Sequence, residues 1–395
     1  MRPALHVVVV TETYPPEING VANTMRHLVS GLEGRGHRVH VVRPRQPADQ
    51  AAPGARCTAE TLVPSLPIPG YPGLRFGLPV YWRLRQQWRT RRPDLVYIAT
   101  EGPLGRAALK AANAAAIPTL TGFHTQFQQY SQHYGLGLLA DPITRSLRRF
   151  HNNSDATLVP TLELRDRLTA QGFTGVRVFG RGVDTELFSP QRRRTELRAR
   201  WGCGTDDPVL LYVGRLAAEK NIDLVMQTFA HTQATLPTAR CVVVGDGPVL
   251  PRLRRDYPQH RFVGAKVGIE LAIHYASADL FIFPSLTETF GNVVPEAMAS
   301  GLTVVAYNDA AAHHFIRSWD NGITVDPGDH RAFTAAALTA AQDPGLLRRF
   351  GSRARRTAET LGWDSVIDTV EKCVFEVINR RRPEPEQPGL AATHD

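Results

Sequence analysis

Short β-branched runs alternate with longer amphipathic stretches along the first half of the chain. "LHVVVV" (5–10), "HRVHVVRP" (37–44), "DLVYIAT" (94–100), "IPTLTGFH" (117–124), "ATLVPT" (156–161) and "VRVFGRG" (176–182) have the continuous apolar character of strands buried on both faces. Between several of them the period lengthens to that of a helix, as in "VANTMRHLVSGLEGRG" (21–36), which ends on a glycine stop. The alternation predicts an open parallel α/β sheet. The pattern then restarts. "PVLLYVGRL" (208–216), "RCVVVGDG" (240–247), "HRFVGA" (260–265), "DLFIFPS" (279–285), "LTVVAYN" (302–308) and "GITVDPG" (322–328) form a second strand series. Two doubly wound, Rossmann-like domains are expected, facing each other across a central cleft where the strands end.

The polar, Arg-rich segment 184–207 separates the two series. The expected division is residues 1–188, residues 189–365, a C-terminal helix over 366–381 and a tail over 382–395. "WDSVIDTVEKCVFEVINR" (363–380) is amphipathic, whereas the Pro- and Glu-containing tail lacks periodicity and is expected to be disordered.

Length and charge refine this picture. At 395 residues the chain suits two cores better than one. No apolar run approaches the roughly 20 residues that span a bilayer, and the N-terminus lacks the features of a secretion signal. A cytoplasmic protein is expected. Cys57, Cys203, Cys241 and Cys373 are far apart and form no C-x-x-C pair, so neither zinc nor redox chemistry is indicated. The formal charge of +9 is uneven: the first 190 residues carry 22 Arg+Lys against 13 Asp+Glu, and the remainder balances at 24 each. A basic half points to an anionic partner.

The candidate chemistry lies at predicted strand exits. After the first strand, Asn19-Gly20 opens a helix, where a glycine lets backbone N–H groups approach a phosphate. Gly214 ends a strand, and Arg215 and Lys220 follow on the exit loop. Arginine grips two phosphate oxygens and lysine acts as a point charge; a solvated loop is the plain alternative. "GDGP", with Gly245 and Gly247, can cradle phosphate, although such turns also serve geometry alone. No D-x-D pair or histidine cluster has metal-ligand spacing, so no metal and no cofactor are expected.

"PSLTETFGNVVPEAMASG" (284–301) is the densest stretch. Glu288 lies on its loop, and Glu296 lies in the first turn of a helix beginning near Val293. A carboxylate accepts two vicinal hydroxyls well, which suits a sugar or ribose. The N–H groups of Phe290, Gly291, Asn292 and Val293 at the helix start suit phosphate or sugar oxygens. His124 follows a strand end on the cleft side of the first domain; His133 has no comparable position.

In order along the chain, "FHT", "RGVDTELFSP", "VGRLAAEKN", "GDGP" and the E-x7-E pair resemble the retaining nucleotide-sugar glycosyltransferases of family four, which have the GT-B fold. The resemblance covers about residues 7–379 and implies a C-terminal helix returning to the first domain. It implies a donor site of Gly20, Gly214, Arg215, Lys220, Gly245, Gly247, Glu288, Phe290, Gly291, Asn292 and Glu296. His124, Arg215, Lys220 and Glu288 would surround the reacting carbon and the leaving diphosphate. The family needs no metal, and front-face attack usually explains its retention of configuration. "ETYPPEINGVANT", "FHTQF" and "RGVDTELF" are similar to bacterial GDP-mannose-dependent α-mannosyltransferases and to glycolipid-forming relatives that use UDP-sugars. "FVGAKVGIEL" (262–271) has no acidic side chain between Gly264 and Ile269 to read a guanine edge.

The expected partners are a GDP- or UDP-hexose donor, a lipid-linked or oligosaccharide acceptor and an anionic membrane surface. The last reading rests on Arg83, Arg85, Arg89, Arg91 and Arg92 interleaved with Tyr81, Trp82, Leu84 and Trp88, and on Arg145, Arg148 and Arg149. It would place the enzyme peripherally at the inner face of the plasma membrane. A non-catalytic nucleotide-sugar-binding subunit and a UDP-sugar 2-epimerase are the competing readings. No nucleic-acid reader motif accompanies the sequence pI of about 9.7, so no nucleic acid is expected.

Overall fold

The computed structural model describes residues 3–17, 19–50, 58–67, 75–124, 140–204, 206–286, 288 and 290–381. His133, Cys57 and the tail expected to be disordered lie outside these residues. The first sheet comprises β1 (His6–Val10), β2 (Arg38–Pro44), β3 (Ala59–Val63), β6 (Leu95–Ile98), β7 (Thr119–Gly122), β8 (Ala156–Val159) and β9 (Val176–Val178). Its order is β3-β2-β1-β6-β7-β8-β9, and every neighbouring pair is parallel. A small antiparallel hairpin, β4 (Ser65–Pro67) with β5 (Arg75–Gly77), stands beside it.

The second sheet comprises β10 (Val209–Val213), β11 (Arg240–Val244), β12 (Arg261–Phe262), β13 (Leu280–Phe283), β14 (Thr303–Tyr307) and β15 (Ile323–Val325). It is parallel throughout, in the order β12-β11-β10-β13-β14-β15. Each sheet therefore winds outward in both directions from a switch point, β1/β6 in one and β10/β13 in the other. Ligands bind at such points, beyond the strand C-termini. The central strands are apolar apart from His6, Tyr97 and Tyr212 and buried almost throughout, so the loops beyond their C-termini carry most of the polar groups.

Each strand read from the sequence is present. The additional β3 and hairpin carry no apolar run: β3 reads Ala-Glu-Thr-Leu-Val, lies at the sheet edge and is only partly buried.

The C-terminal helix Trp363–Arg381 begins three residues before the expected 366. Its apolar face, including Ile367, Val370, Val374 and Val377, completes the first domain's core against Met25, Leu28 and Val7. The polar margin is tied down as well. Arg35 pairs with Asp368 at 2.5 Å, His37 with Glu371 at 3.0 Å and Arg381 with Asp155 at 2.7 Å. His27 stacks on Trp363 at 4.6 Å. The chain thus crosses between the domains twice, after β9 and before this helix. Among the described residues no helix is long and apolar enough to cross a membrane.

Candidate active site

The cleft edge of the second domain is built from adjacent strand exits. After β10 the chain turns through Gly214 and Arg215 to Lys220; after β11 it turns through Gly245-Asp246-Gly247. These exits touch. Gly214 N–H donates to the Val244 carbonyl at 3.0 Å and Leu216 N–H to the Asp246 carbonyl at 2.9 Å. A Cβ on Gly245 would meet the Gly214 carbonyl oxygen at 1.9 Å, and one on Gly247 would meet that of Leu216 at 2.3 Å. Close approach of two loops thus already requires both glycines, and the same approach places the Arg215–Lys220 loop beside the second turn.

The next exit, after β13, carries the first glutamate. Lys220 Nζ reaches Glu288 Oε1 at 2.5 Å, and Ser285 Oγ donates to the same oxygen at 2.9 Å. Both charged side chains are mostly shielded from solvent. Gly291 adopts a left-handed φ of +86°, which allows the loop to double back beside Glu288 before the helix Val293–Ala299 begins. Glu296, in the first turn of that helix, is half-buried and accepts from Tyr275 Oη at 3.1 Å. Burial pushes its carboxyl up to about 8, with the Tyr275 hydrogen bond acting in the opposite sense.

The two glutamates therefore have different partners: Glu288 meets Lys220 and Ser285, whereas Glu296 meets Tyr275 and burial raises its carboxyl. The arrangement is suited to two separate contacts, not to a shared proton.

Asn292 leads into the same helix and spans the cleft. Its Nδ2 lies 3.4 Å from the Gly20 carbonyl of the first domain. Gly20 begins the helix Gly20–Gly34, capped by Asn19 Oδ1 accepting from Ala22 N–H at 2.8 Å. Gly20, Asn292, Gly291, Glu288 and Lys220 are thus linked by close neighbours across the two domains.

His124 is placed differently. It is buried, and both ring nitrogens are engaged. Arg181 Nη2 lies 2.7 Å from Nδ1, and Tyr97 Oη lies 2.9 Å from Nε2. A guanidinium can only donate, so Nδ1 accepts, and the ring proton resides on Nε2 facing Tyr97. Burial, reinforced by the charge of Arg181, holds the ring well below the usual histidine range, hence neutral. Arg181 also bonds Thr24 Oγ1 on the Gly20 helix and lies over the Phe179 ring at 5.2 Å. Burial lowers its pKa to about 10. The histidine and the Gly20 helix are thereby braced by one arginine from the interdomain crossing.

Sequence reasoning quoted Arg181 within "RGVD" without assigning it a role, and it missed Tyr97, Tyr275 and Ser285. Tyr275 stands 21 residues before Glu296, and Tyr97 27 residues before His124, so no local spacing joins them. At the β1/β6 switch point it also missed Glu12, which accepts from Leu104 N–H at 2.9 Å and Gly77 N–H at 2.5 Å, and the buried Glu101. Burial raises both carboxyls to about 7. Among the described residues, no three His, Cys, Asp or Glu side chains group as metal ligands would.

Two parallel-sheet domains with exit loops meeting across a cleft define the GT-B class of glycosyltransferase. The chain belongs to glycosyltransferase family 4: the Glycosyltransferase Family 4 model matches residues 18–187, and the Glycosyl transferases group 1 model matches residues 193–357. A GDP-mannose-dependent alpha-mannosyltransferase of Mycobacterium tuberculosis is 33% identical over 92% of this chain and 94% of its own length. The sulfoquinovosyl transferase SQD2 of Arabidopsis thaliana is 30% identical over 88% of this chain and 68% of its own. The alpha-monoglucosyldiacylglycerol synthase of Acholeplasma laidlawii is 24% identical over 95% and 98%. Among solved structures, Anabaena Alr3699/HepE in complex with UDP and glucose superposes with a TM-score of 0.77 at 17% identity, covering 94% of this chain and 100% of that one. That likeness concerns the fold.

Proposed function

We propose that this glycosyltransferase moves a mannosyl group from GDP-mannose to a lipid or glycan acceptor, with retention of configuration and without a metal. The observation that carries the reading is the Lys220–Glu288 contact beside Glu296 and facing Gly20. It concentrates a cation, two carboxyl groups and a helix start on one cleft edge. Arg215 and Lys220 would hold the diphosphate. Glu296 would bind the ribose hydroxyls, and Glu288 with the amides of Phe290 and Gly291 would hold the sugar. The C1–O bond to the diphosphate breaks as the acceptor oxygen bonds to C1. The acceptor's proton passes to the departing phosphate oxygen, and Lys220 stabilises the developing charge. Uncharged His124, braced by Arg181, shapes the first-domain wall near the sugar.

The choice of mannose follows the names of the relatives at 31–33% identity. A UDP-sugar-dependent glycolipid synthase is the second reading, favoured by the relatives that form glucosyldiacylglycerol.

The acceptor reading draws on the first domain's outer face. The helix Tyr81–Thr90 carries Trp82, 74% exposed, with Arg85 stacked 5.9 Å from its ring. Behind it, Arg106, Lys110 and Arg149 line a common cavity of about 350 Å³. Exposed tryptophan beside cations suits an anionic membrane surface bearing a lipid acceptor.

The test is a transfer assay with GDP-mannose, UDP-glucose and ADP-glucose, a lipid extract as acceptor, and EDTA throughout. The expected result is GDP release with a new α-mannosylated lipid, its anomer read by NMR. Transfer only from UDP-glucose would replace the donor. An inverted product would remove the retaining mechanism, and loss of turnover in EDTA the metal-free one. Hydrolysis and transfer absent with all three donors would favour the non-catalytic subunit.

A further inference from the structure

A second concentration of cations lies on the open edge of the second sheet. Strand β12 pairs with β11 on one side only. Beside it is a cavity of about 500 Å³ lined by the helix Thr195–Trp201, the helix Leu250–Asp256 and residues 258–263. Three arginines from three elements line it: Arg200, Arg254 and Arg261. Among the described residues none of them has an ion-pair partner; Arg254 Nη2 lies 3.5 Å from the Phe262 carbonyl. Other arginines of this domain do find carboxylates, as Arg198 does with Asp279 at 2.9 Å and Arg252 with Asp223 at 2.6 Å. Three guanidiniums around one hollow attract an anion, the more so at low salt.

The remaining wall is apolar and aromatic. Trp201 is buried, and His260 is 4% exposed with its ring stacked on Tyr257 at 5.8 Å and edge-on to Phe229 at 5.5 Å. Neither ring nitrogen of His260 has a hydrogen-bond partner. A buried imidazole with its donor and its acceptor both unmet is costly and uncommon, and it marks this wall independently of the arginines. The volume fits a small ligand.

We infer that this cavity is an anion site for a phosphorylated small molecule, its phosphate held by Arg200, Arg254 and Arg261 and its body against Trp201 and His260. Forked donors match phosphate oxygens two at a time. The site is separate from the Lys220–Glu288–Glu296 edge, and it does not depend on the transferase reading. It is nonetheless connected to that edge. Val263 lines the cavity, and the next residue, Gly264, accepts from Gly245 N–H at 3.0 Å in the "GDGP" turn. An occupant would therefore bear on the loop nearest the donor nucleotide.

The experiment is calorimetric titration of the full chain with inorganic pyrophosphate and, separately, with glucose 6-phosphate. It is run in a Lys220→Ala background that weakens the donor cleft. The expected result is saturable binding of at least one probe, weakened at least tenfold by adding Arg254→Gln and Arg261→Gln. All the arginines concerned are exposed, so the folded state is expected to survive; unchanged thermal midpoints check this. Equal affinity with and without the arginine substitutions would overturn the proposal. So would absence of binding by both probes at millimolar concentration.

Discussion

The two walls of the cleft handle polar groups in opposite ways. The second domain keeps opposite charges together: Lys220 lies against Glu288, with Glu296 close behind on Tyr275. Around His124 the first domain relies on burial and hydrogen bonds instead of an ion pair. His124 is neutral between Arg181 and Tyr97, and the carboxyls of Glu12 and Glu101 are raised to about 7. A paired cation can exchange its carboxylate for phosphate at little cost in desolvation, because the site is already organised around charge. A neutral wall positions without competing for that charge. On the proposed reading, the diphosphate and the sugar contacts of Glu288 lie on one side, and His124 shapes the wall opposite.

The largest effect should come from the charged wall. Lys220→Ala is expected to lower kcat/KM roughly 10- to 150-fold, equivalent to about 1.5–3 kcal/mol for a charge-assisted contact. Steady-state kinetics showing an unchanged value would break the assignment of the diphosphate to this side. On the neutral wall, Arg181→Ala removes the partner of His124 Nδ1 and of Thr24, and should destabilise by about 1–3 kcal/mol through unmet buried groups. Denaturant unfolding measures it. An unaltered midpoint would show that the brace is not needed.

Glu296→Gln sharpens the comparison through pH. The folded-state pKa of about 8 lies above the ordinary 4.5, so the contribution of Glu296 to stability is complete below 4.5 and is lost as pH rises through 8. The variant should flatten the fall in thermal midpoint across that window. It should also weaken nucleoside diphosphate binding by about 0.5–1.5 kcal/mol, roughly 2- to 12-fold. An identical pH profile would place the titration elsewhere. The smallest effect concerns the outer face. Each of Arg85→Ser and Lys110→Ser should reduce sedimentation with anionic liposomes by about 1 kcal/mol at low salt. No binding by the unaltered protein would remove the membrane claim.

Much of this contrast was legible in the sequence, but unequally. The charged wall was readable because its residues are strand exits with recognisable spacing. Arg215 and Lys220 follow one apolar run, and Glu288 and Glu296 follow another. The two parallel-sheet domains followed from the restart of the strand pattern near residue 208, whereas the strand order did not. The neutral wall was not readable. Arg181 and Tyr97 meet His124 from distant elements, Thr24 meets Arg181 from a third, and nothing in their neighbours marks them as partners. The half-polar edge strand Ala59–Val63 escaped for a related reason: an edge needs no continuous apolar run. The glycines of "GDGP" carried a different lesson. Their pattern suggested phosphate, while contact between the β10 and β11 exits already demands them.

The central claim is that the second-domain edge clamps a nucleoside diphosphate, with Glu296 on the ribose and Lys220 on the phosphates. Calorimetric titration of the unaltered chain and of Glu296→Ala with GDP and with UDP tests it most directly. The account predicts one saturable site for at least one of the two nucleotides, weakened roughly 2- to 12-fold by the substitution, in line with loss of one hydrogen bond of about 0.5–1.5 kcal/mol. Equal affinity in both proteins would move the ribose away from Glu296, and absence of binding by both nucleotides would contradict the clamp itself.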